Sequence, residues 1–89
     1  MGAKDTTEDM GVTFNFDNLT AKEMTDFFRF NREQDFVGMS KVFASVITKC
    51  PAEWGDPKKP ETFADLPYFP KFKPLTALFV QEAQEEAKN

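Results

Sequence analysis

The sequence predicts an all-α fold, a small bundle of about three helices with a proline-rich aromatic connection and an extended N-terminal arm. Apolar residues recur at helical spacing, Thr20 and Glu23 match a capping box, and Pro51 and Pro74 bound two of the predicted helices. The chain has 89 residues, and a domain of that length buries only about 60% of the surface that its unfolded form exposes. We therefore expect a single helical domain over residues 12–89, with a thin core.

Two segments precede the first predicted helix. Residues 1–11 are polar and rich in small side chains, which predicts a disordered N-terminal tail. Residues 12–16 alternate apolar and polar side chains, the pattern of a half-buried strand. No second segment has the pattern of a partner strand. Residues 12–16 are therefore either an extended arm laid on the helices, which is the favoured interpretation, or a strand that pairs with another chain.

The first helix is predicted over residues 20–32. Thr20 is placed to act as the N-cap, and Glu23 three residues later completes a capping box, so that two backbone N–H groups gain partners. Phe27 and Phe28 fall on the apolar face of this helix. We expect Phe28 to be buried in the core.

The second helix is predicted over residues 36–49. Pro51 ends it, because proline disfavours helical geometry in the residue before it. Apolar residues at helical spacing define one stripe that faces the core. The stripe contains Phe36, Met39, Phe43, Val46, Ile47 and Cys50, of which Met39, Phe43 and Ile47 are expected to be buried.

The rest of the chain contains a proline-rich connection and a last helix. Residues 51–73 contain five prolines, which excludes one long regular element. Within them, residues 61–66 fit a short helical turn. The last helix is predicted over residues 74–86, because Pro74 suits the first position of a helix. Leu78 lies on its apolar face, and we expect it to be buried.

Side chains that perform chemistry are scarce. The chain has no histidine and one cysteine, Cys50, which lies on the apolar stripe without a histidine to activate it. We interpret Cys50 as a buried small apolar residue. Zinc sites need histidine or several cysteines, the acidic residues lack the spacing of a calcium loop, and no pair of carboxylates is singled out for acid–base catalysis. We expect no metal, no cofactor and no enzymatic activity.

The charge balance limits the class of partner and the compartment. With 15 acidic and 11 basic residues the formal net charge is −4, which disfavours binding to nucleic acid. No apolar run approaches the ~18 residues of a membrane-spanning helix, and the N-terminus has no signal-peptide pattern. A single cysteine cannot form an internal disulfide. The sequence predicts an acidic cytoplasmic protein that binds a protein partner, and neither nucleic acid nor membrane.

The proline-rich connection carries more aromatic residues than a link between two helices needs. The whole chain has 11 Phe, one Trp and one Tyr. Two interpretations are open: these rings cover the open side of a thin core, or part of the set stays exposed as a surface that binds a partner. The candidate partner-binding residues are Trp54, Phe63, Tyr68, Phe69 and Phe72.

The order of several motifs suggests a family. A capped first helix (Leu19 to Glu23) precedes a helix that ends at Cys50-Pro51, and then come Trp54-Gly-Asp-Pro57, Phe63-x-x-Leu-Pro67 and a closing helix after Phe72-Lys-Pro-Leu75. This order, over about residues 14–86, resembles the small acidic tail assembly chaperones of long-tailed bacteriophages.

The resemblance implies a function for the whole chain. It implies a cytoplasmic helical protein that coats the hydrophobic tape measure protein during tail assembly, and it suggests self-association. The small size and acidity are also compatible with a regulatory binder, similar to an antitoxin or inhibitor, of one folded protein. Such a binder would form a tight one-to-one complex instead of holding an extended, aggregation-prone client.

Overall fold

A computed structural model of the chain describes the backbone of residues 10–88 and the side chains of residues 10–86. Within that range the chain is mostly helical, as the sequence predicts, with two short strands and an extended N-terminal arm. A 3-10 turn follows the second strand, and a π-helical turn leads directly into the last helix. The elements are β1 (Thr13–Phe14), α1 (Ala21–Glu33), α2 (Phe36–Val46), β2 (Ile47–Lys49), the 3-10 turn (Ala52–Trp54), α3 (Pro60–Ala64), the π-helical turn (Tyr68–Phe72) and α4 (Lys73–Lys88).

The start of α1 is set by the predicted capping box. The Thr20 hydroxyl accepts a hydrogen bond from the Glu23 backbone N–H at 3.1 Å, and the Glu23 carboxylate accepts one from the Thr20 N–H at 3.0 Å. Both backbone donors would otherwise lack partners at the first turn. The local sequence therefore determines where this helix begins.

A tight corner joins α1 to α2. Gln34 ends α1 in the left-handed conformation, with φ of 59°, and Asp35 caps α2 by accepting a hydrogen bond from the Gly38 N–H at 3.0 Å. A Cβ atom at Gly38 would lie 2.8 Å from the Phe30 ring. Glycine at this position therefore lets the side of α1 pack closely on the first turn of α2.

We expect Gln34→Gly to raise the free energy of unfolding by about 0.5–1 kcal/mol. The left-handed conformation costs a residue with a Cβ about 1–2 kcal/mol, and the greater flexibility of glycine in the unfolded chain offsets part of that gain. Urea denaturation followed by circular dichroism measures the change. Gln34→Ala is the control, since it removes the amide and keeps the strain, and it should be close to neutral. A destabilised Gln34→Gly variant would contradict the expectation.

The end of α2 differs from the prediction. The helix ends at Val46, three residues before the predicted residue 49, and the chain continues as the strand β2. Val46, Ile47 and Thr48 are β-branched, which favours extended backbone over helix. The extended backbone is also stabilised by hydrogen bonds to a partner strand elsewhere in the chain.

That partner is the N-terminal arm. β1 pairs antiparallel with β2, with Thr13 opposite Lys49 and Phe14 opposite Ile47, and the Asn15 N–H donates to the Val46 carbonyl at 2.7 Å. The expectation that no segment of this chain would pair with residues 12–16 is therefore wrong.

The favoured alternative, an arm laid on the helices, agrees with the ring contacts. Phe14 and Phe16 lie 6.0 and 5.8 Å from the Phe79 ring of α4. Of the predicted tail, Met10 and Gly11 are described, and Met10 packs against the core. Residues 1–9 lie outside the described part of the chain.

The core consists largely of phenylalanine rings. Phe43 is fully buried, and four other rings have centroids within 6.0 Å of its own. These are Phe27 at 5.7 Å, Phe63 at 6.0 Å, Phe72 at 5.6 Å and Phe79 at 5.6 Å. Met39, Phe43, Ile47 and Leu78 are buried, as predicted.

Phe28 is a correction to the predicted core. Its side chain is 47% exposed, whereas Phe27 is completely buried. Successive residues of a helix point about 100° apart, and α1 is oriented with Phe27 toward the core and Phe28 toward solvent. Phe27 takes that position because it meets both Phe43 and Phe79, at 5.7 and 4.3 Å between ring centroids.

The connection between β2 and α4 is ordered around two short helical elements. α3 begins at Pro60 and ends at Ala64, slightly earlier than the turn predicted over residues 61–66. The Thr62 hydroxyl donates to the Asp56 carbonyl at 2.6 Å. After α3, the π-helical turn passes without interruption into α4, which begins one residue before the predicted Pro74.

Candidate functional site

The five candidate partner-binding residues differ in exposure. Phe63 and Phe72 are 0% and 2% exposed, and they belong to the core. Trp54 is half-buried. Tyr68 and Phe69 are 39% and 74% exposed, the two largest exposed fractions in the set. Phe63 and Phe72 therefore belong to the core, as the first interpretation expects, whereas Tyr68 and Phe69 keep the exposure that the second interpretation requires.

The π-helical turn explains this division. The Pro67 carbonyl accepts hydrogen bonds from both the Lys71 and the Phe72 N–H groups, at 3.1 and 3.0 Å. The resulting wide turn places Tyr68 above Phe72, with nearly parallel rings 6.0 Å apart. Phe72 points into the core, whereas Phe69 points outward.

Tyr68 and Phe69 form an aromatic platform that is joined to the core by ring contacts. The two rings meet edge to face at 5.0 Å, and Tyr68 also lies 4.9 Å from the Phe36 ring of α2. Phe36 in turn meets the buried Phe72 at 5.5 Å. An exposed side chain that is held in this way loses little conformational entropy when a partner binds.

A groove of about 480 Å³ adjoins the aromatic platform. One wall is a continuous face of α4, and the other wall is the corner between α1 and α2, with Tyr68 contributed by the π-helical turn. The α4 wall consists of Lys73, Thr76, Ala77, Val80, Gln81 and Gln84, and the opposite wall consists of Asn31, Phe36 and Met39.

Lys73 links the groove to the aromatic platform. Its ammonium lies 5.9 Å from the centre of the Phe69 ring, a cation–π contact. Among the described residues that line the groove, Lys73 is the only charged one. The described lining of the groove thus carries one positive charge and no negative one, in a chain whose formal net charge is −4.

Trp54 lies at a second, smaller groove of about 340 Å³. Its ring meets the edge of Phe63 at 6.4 Å, and Leu66, Pro67 and Lys71 contribute to the same groove. Phe63 thus supports Trp54 from below and does not itself reach the surface.

Two further apolar side chains are exposed. Val37 at the start of α2 is 59% exposed, in agreement with its position nearly opposite the apolar stripe of that helix. The sequence predicts a buried Phe28, although its position directly after Phe27 indicates that the two side chains point in different directions. Phe30 is half-buried, and the Arg29 guanidinium lies 4.9 Å from the centre of its ring.

Cys50 is half-buried and not fully buried as predicted, because the helix ends at Val46 and Cys50 lies beyond β2. Its Sγ lies 3.5 Å from the Gly55 carbonyl oxygen. Partial burial raises the pKa of the Cys50 thiol above its ordinary value, and the nearby Asp56 carboxylate raises it further. Both effects favour the neutral thiol at pH 7 and weaken it as a nucleophile.

Within the described residues, no three side chains of His, Cys, Asp or Glu cluster closely enough to hold a metal ion. Over the same residues, no helix combines the length and apolarity needed to cross a membrane.

Comparison with known proteins finds no matching family model, no similar curated protein and no similar solved structure.

Proposed function

We propose that this protein is a non-enzymatic protein-binding module, and that it acts as a tail assembly chaperone of a long-tailed bacteriophage. In this role it binds and solubilises the tape measure protein in the host cytoplasm while the tail is assembled. The order of motifs from Leu19 to Leu75 supports the choice of family. The aromatic platform supports the mode of action.

The observation that carries the proposal is the exposure of Phe69 on an ordered support. The Phe69 ring is 74% exposed and touches the exposed Tyr68 ring, so the two offer a contiguous apolar surface whose burial against a partner would be favourable. Its contacts with Tyr68, and those of Tyr68 with Phe36, hold the ring in place before a client arrives. Aromatic residues that bury a large area at small entropic cost are the usual anchors of protein interfaces.

The charge of the chain fits the same role. A chaperone must keep an apolar client in solution while it presents apolar surface of its own. A formal net charge of −4 opposes aggregation of the complex by repulsion. The same charge disfavours nucleic acid as a partner. Self-association of the chaperone is part of the proposal.

The test is co-expression of the tagged protein with the tape measure protein from the same genome. We expect the wild-type chain to keep the tape measure protein soluble and to co-purify with it. Phe69→Ser should reduce the affinity by about tenfold or more, because it removes a central aromatic anchor. The melting temperature should stay close to that of the wild type, since the ring contributes little to the core.

Phe28→Ser is the matched control, because it removes an exposed phenylalanine of α1 that has no ring contact with the aromatic platform. It should leave client binding unchanged. Binding that survives a combined Tyr68→Ser and Phe69→Ser substitution would refute the platform as the client surface. A tight one-to-one complex with a different, folded protein would favour the regulatory binder instead.

A further inference from the structure

The groove beside the aromatic platform has a long helical wall against which a second helix could pack. Its α4 wall repeats at intervals of three and four residues from Lys73 to Gln84, so these residues form one face of about three turns, roughly 16 Å long. Thr76, Val80 and Gln81 on this face are only half-buried, and Ala77 is exposed. A helix laid along this face would cover it and would contact the opposite wall at the exposed Asn31 and the half-buried Phe36.

The side chains along the α4 wall also define the pattern of the occupant. Thr76, Ala77 and Val80 in the middle of the wall are small or apolar, whereas Lys73 at one end and Gln81 and Gln84 at the other are polar. Small residues allow the ridge of a second helix to approach closely. An occupant with apolar residues at i, i+3 or i+4, and i+7 would place them over this middle section.

Charge selects among such helices. None of the described residues that line the groove is acidic, although the whole chain has 15 acidic residues. The acidic Glu82 and Glu86 of α4 line a different pocket, beside Phe14 and Phe16 of the arm. Lys73 is therefore the one charged side chain among the described residues that line the groove. A carboxylate placed there would form a charge-assisted hydrogen bond with its ammonium.

We infer that the groove binds an amphipathic helix of the client, with its apolar stripe on Ala77 and Val80 and an acidic residue at the Lys73 end. This inference names the recognised segment of the client and rests on the proposed function for the client's identity. Phe69, which shares the Lys73 end of the groove, then covers an apolar residue next to that acidic residue.

The probe is a fluorescein-labelled synthetic helix of 16 residues, with a leucine stripe at helical spacing and a single glutamate at one end. A second peptide has lysine in place of that glutamate, and a third has serine in place of the leucines. Fluorescence anisotropy with the full chain measures each affinity. We expect the glutamate peptide to bind at least tenfold more tightly than the lysine peptide, and the serine peptide not to bind.

Variants of the full chain test the groove itself. Ala77→Arg fills the middle of an exposed face without touching the core, and it should abolish binding of both leucine peptides. Lys73→Glu should reverse the preference between the glutamate and lysine peptides. Lys71→Glu makes the same charge change at a residue of the Trp54 groove, and it should alter each affinity less than twofold.

Four results would overturn the inference, and three of them come from the peptides and from the oligomeric state. These are failure of the glutamate peptide to bind, an unchanged preference in Lys73→Glu, and a wild-type oligomer that Ala77→Arg dissociates, which would mean that a second copy of the chain occupies the groove. The inference and the proposed function fail separately. A tape measure protein that depends on Phe69 but binds normally to Ala77→Arg would overturn only the inference. Binding of the peptide without binding of the tape measure protein would overturn only the function.

Discussion

Phe43→Ala is expected to lower the free energy of unfolding by about 3–5 kcal/mol. The Phe43 ring is fully buried and lies within 6.0 Å, between centroids, of rings from α1, α3, the π-helical turn and α4. Its removal therefore leaves a cavity that no single element can close. For a domain of this length, whose total stability is on the order of 5–10 kcal/mol, the loss would approach or exceed half. Urea denaturation monitored by far-ultraviolet circular dichroism measures it.

Phe28→Ala is the control for this prediction, because it deletes the same group at a half-exposed position of α1. Its cost should stay below about 1 kcal/mol. A loss for Phe43→Ala that is equally small would contradict the packing of the five rings.

Phe72→Ala and Phe69→Ala should differ by several kilocalories per mole, although the two residues are neighbours in the same turn. Phe72 is 2% exposed and Phe69 is 74% exposed. We expect Phe72→Ala to cost about 3–5 kcal/mol, as for other buried rings. Phe69→Ala should cost less than about 1 kcal/mol, since it loses only an edge contact with Tyr68 and the Lys73 cation–π contact.

Parallel denaturation of the two variants provides the comparison, and each serves as the control for the other. Similar losses in both would mean that the π-helical turn does not separate core from surface as described. A large loss in Phe69→Ala alone would make the aromatic platform a part of the stabilising core and would remove it as a candidate client surface.

Local signals predicted the helix starts well. The capping box at Thr20 and Glu23 depends on residues three apart, so its effect can be read from the sequence alone. The end of α2 could not be read in this way, because Ile47 leaves the helix to pair with Phe14, far away in the chain. A helix and a strand were both compatible with the local pattern, and a distant partner decided between them.

The candidate site shows the same limit. The sequence identified the aromatic connection as unusual, but all five of its candidate rings are of similar apolarity. Which of them is buried depends on the geometry of the π-helical turn and on the position of Phe43 across the core. The groove was not predicted either, since α4 and the corner between α1 and α2 form its walls only after folding.

The ladder between β1 and β2 has a consequence for the order of folding. It joins residues 13 and 49, so it closes a loop that contains both α1 and α2, and loop closure costs entropy that grows with loop length. The two paired residues of each strand contribute little free energy, which does not by itself offset the entropy lost on closing the loop. The arm is therefore expected to dock after the α1–α2 corner has formed, and to detach first when the native protein fluctuates. Amide hydrogens at Asn15 should accordingly exchange with solvent faster than those in the middle of α2.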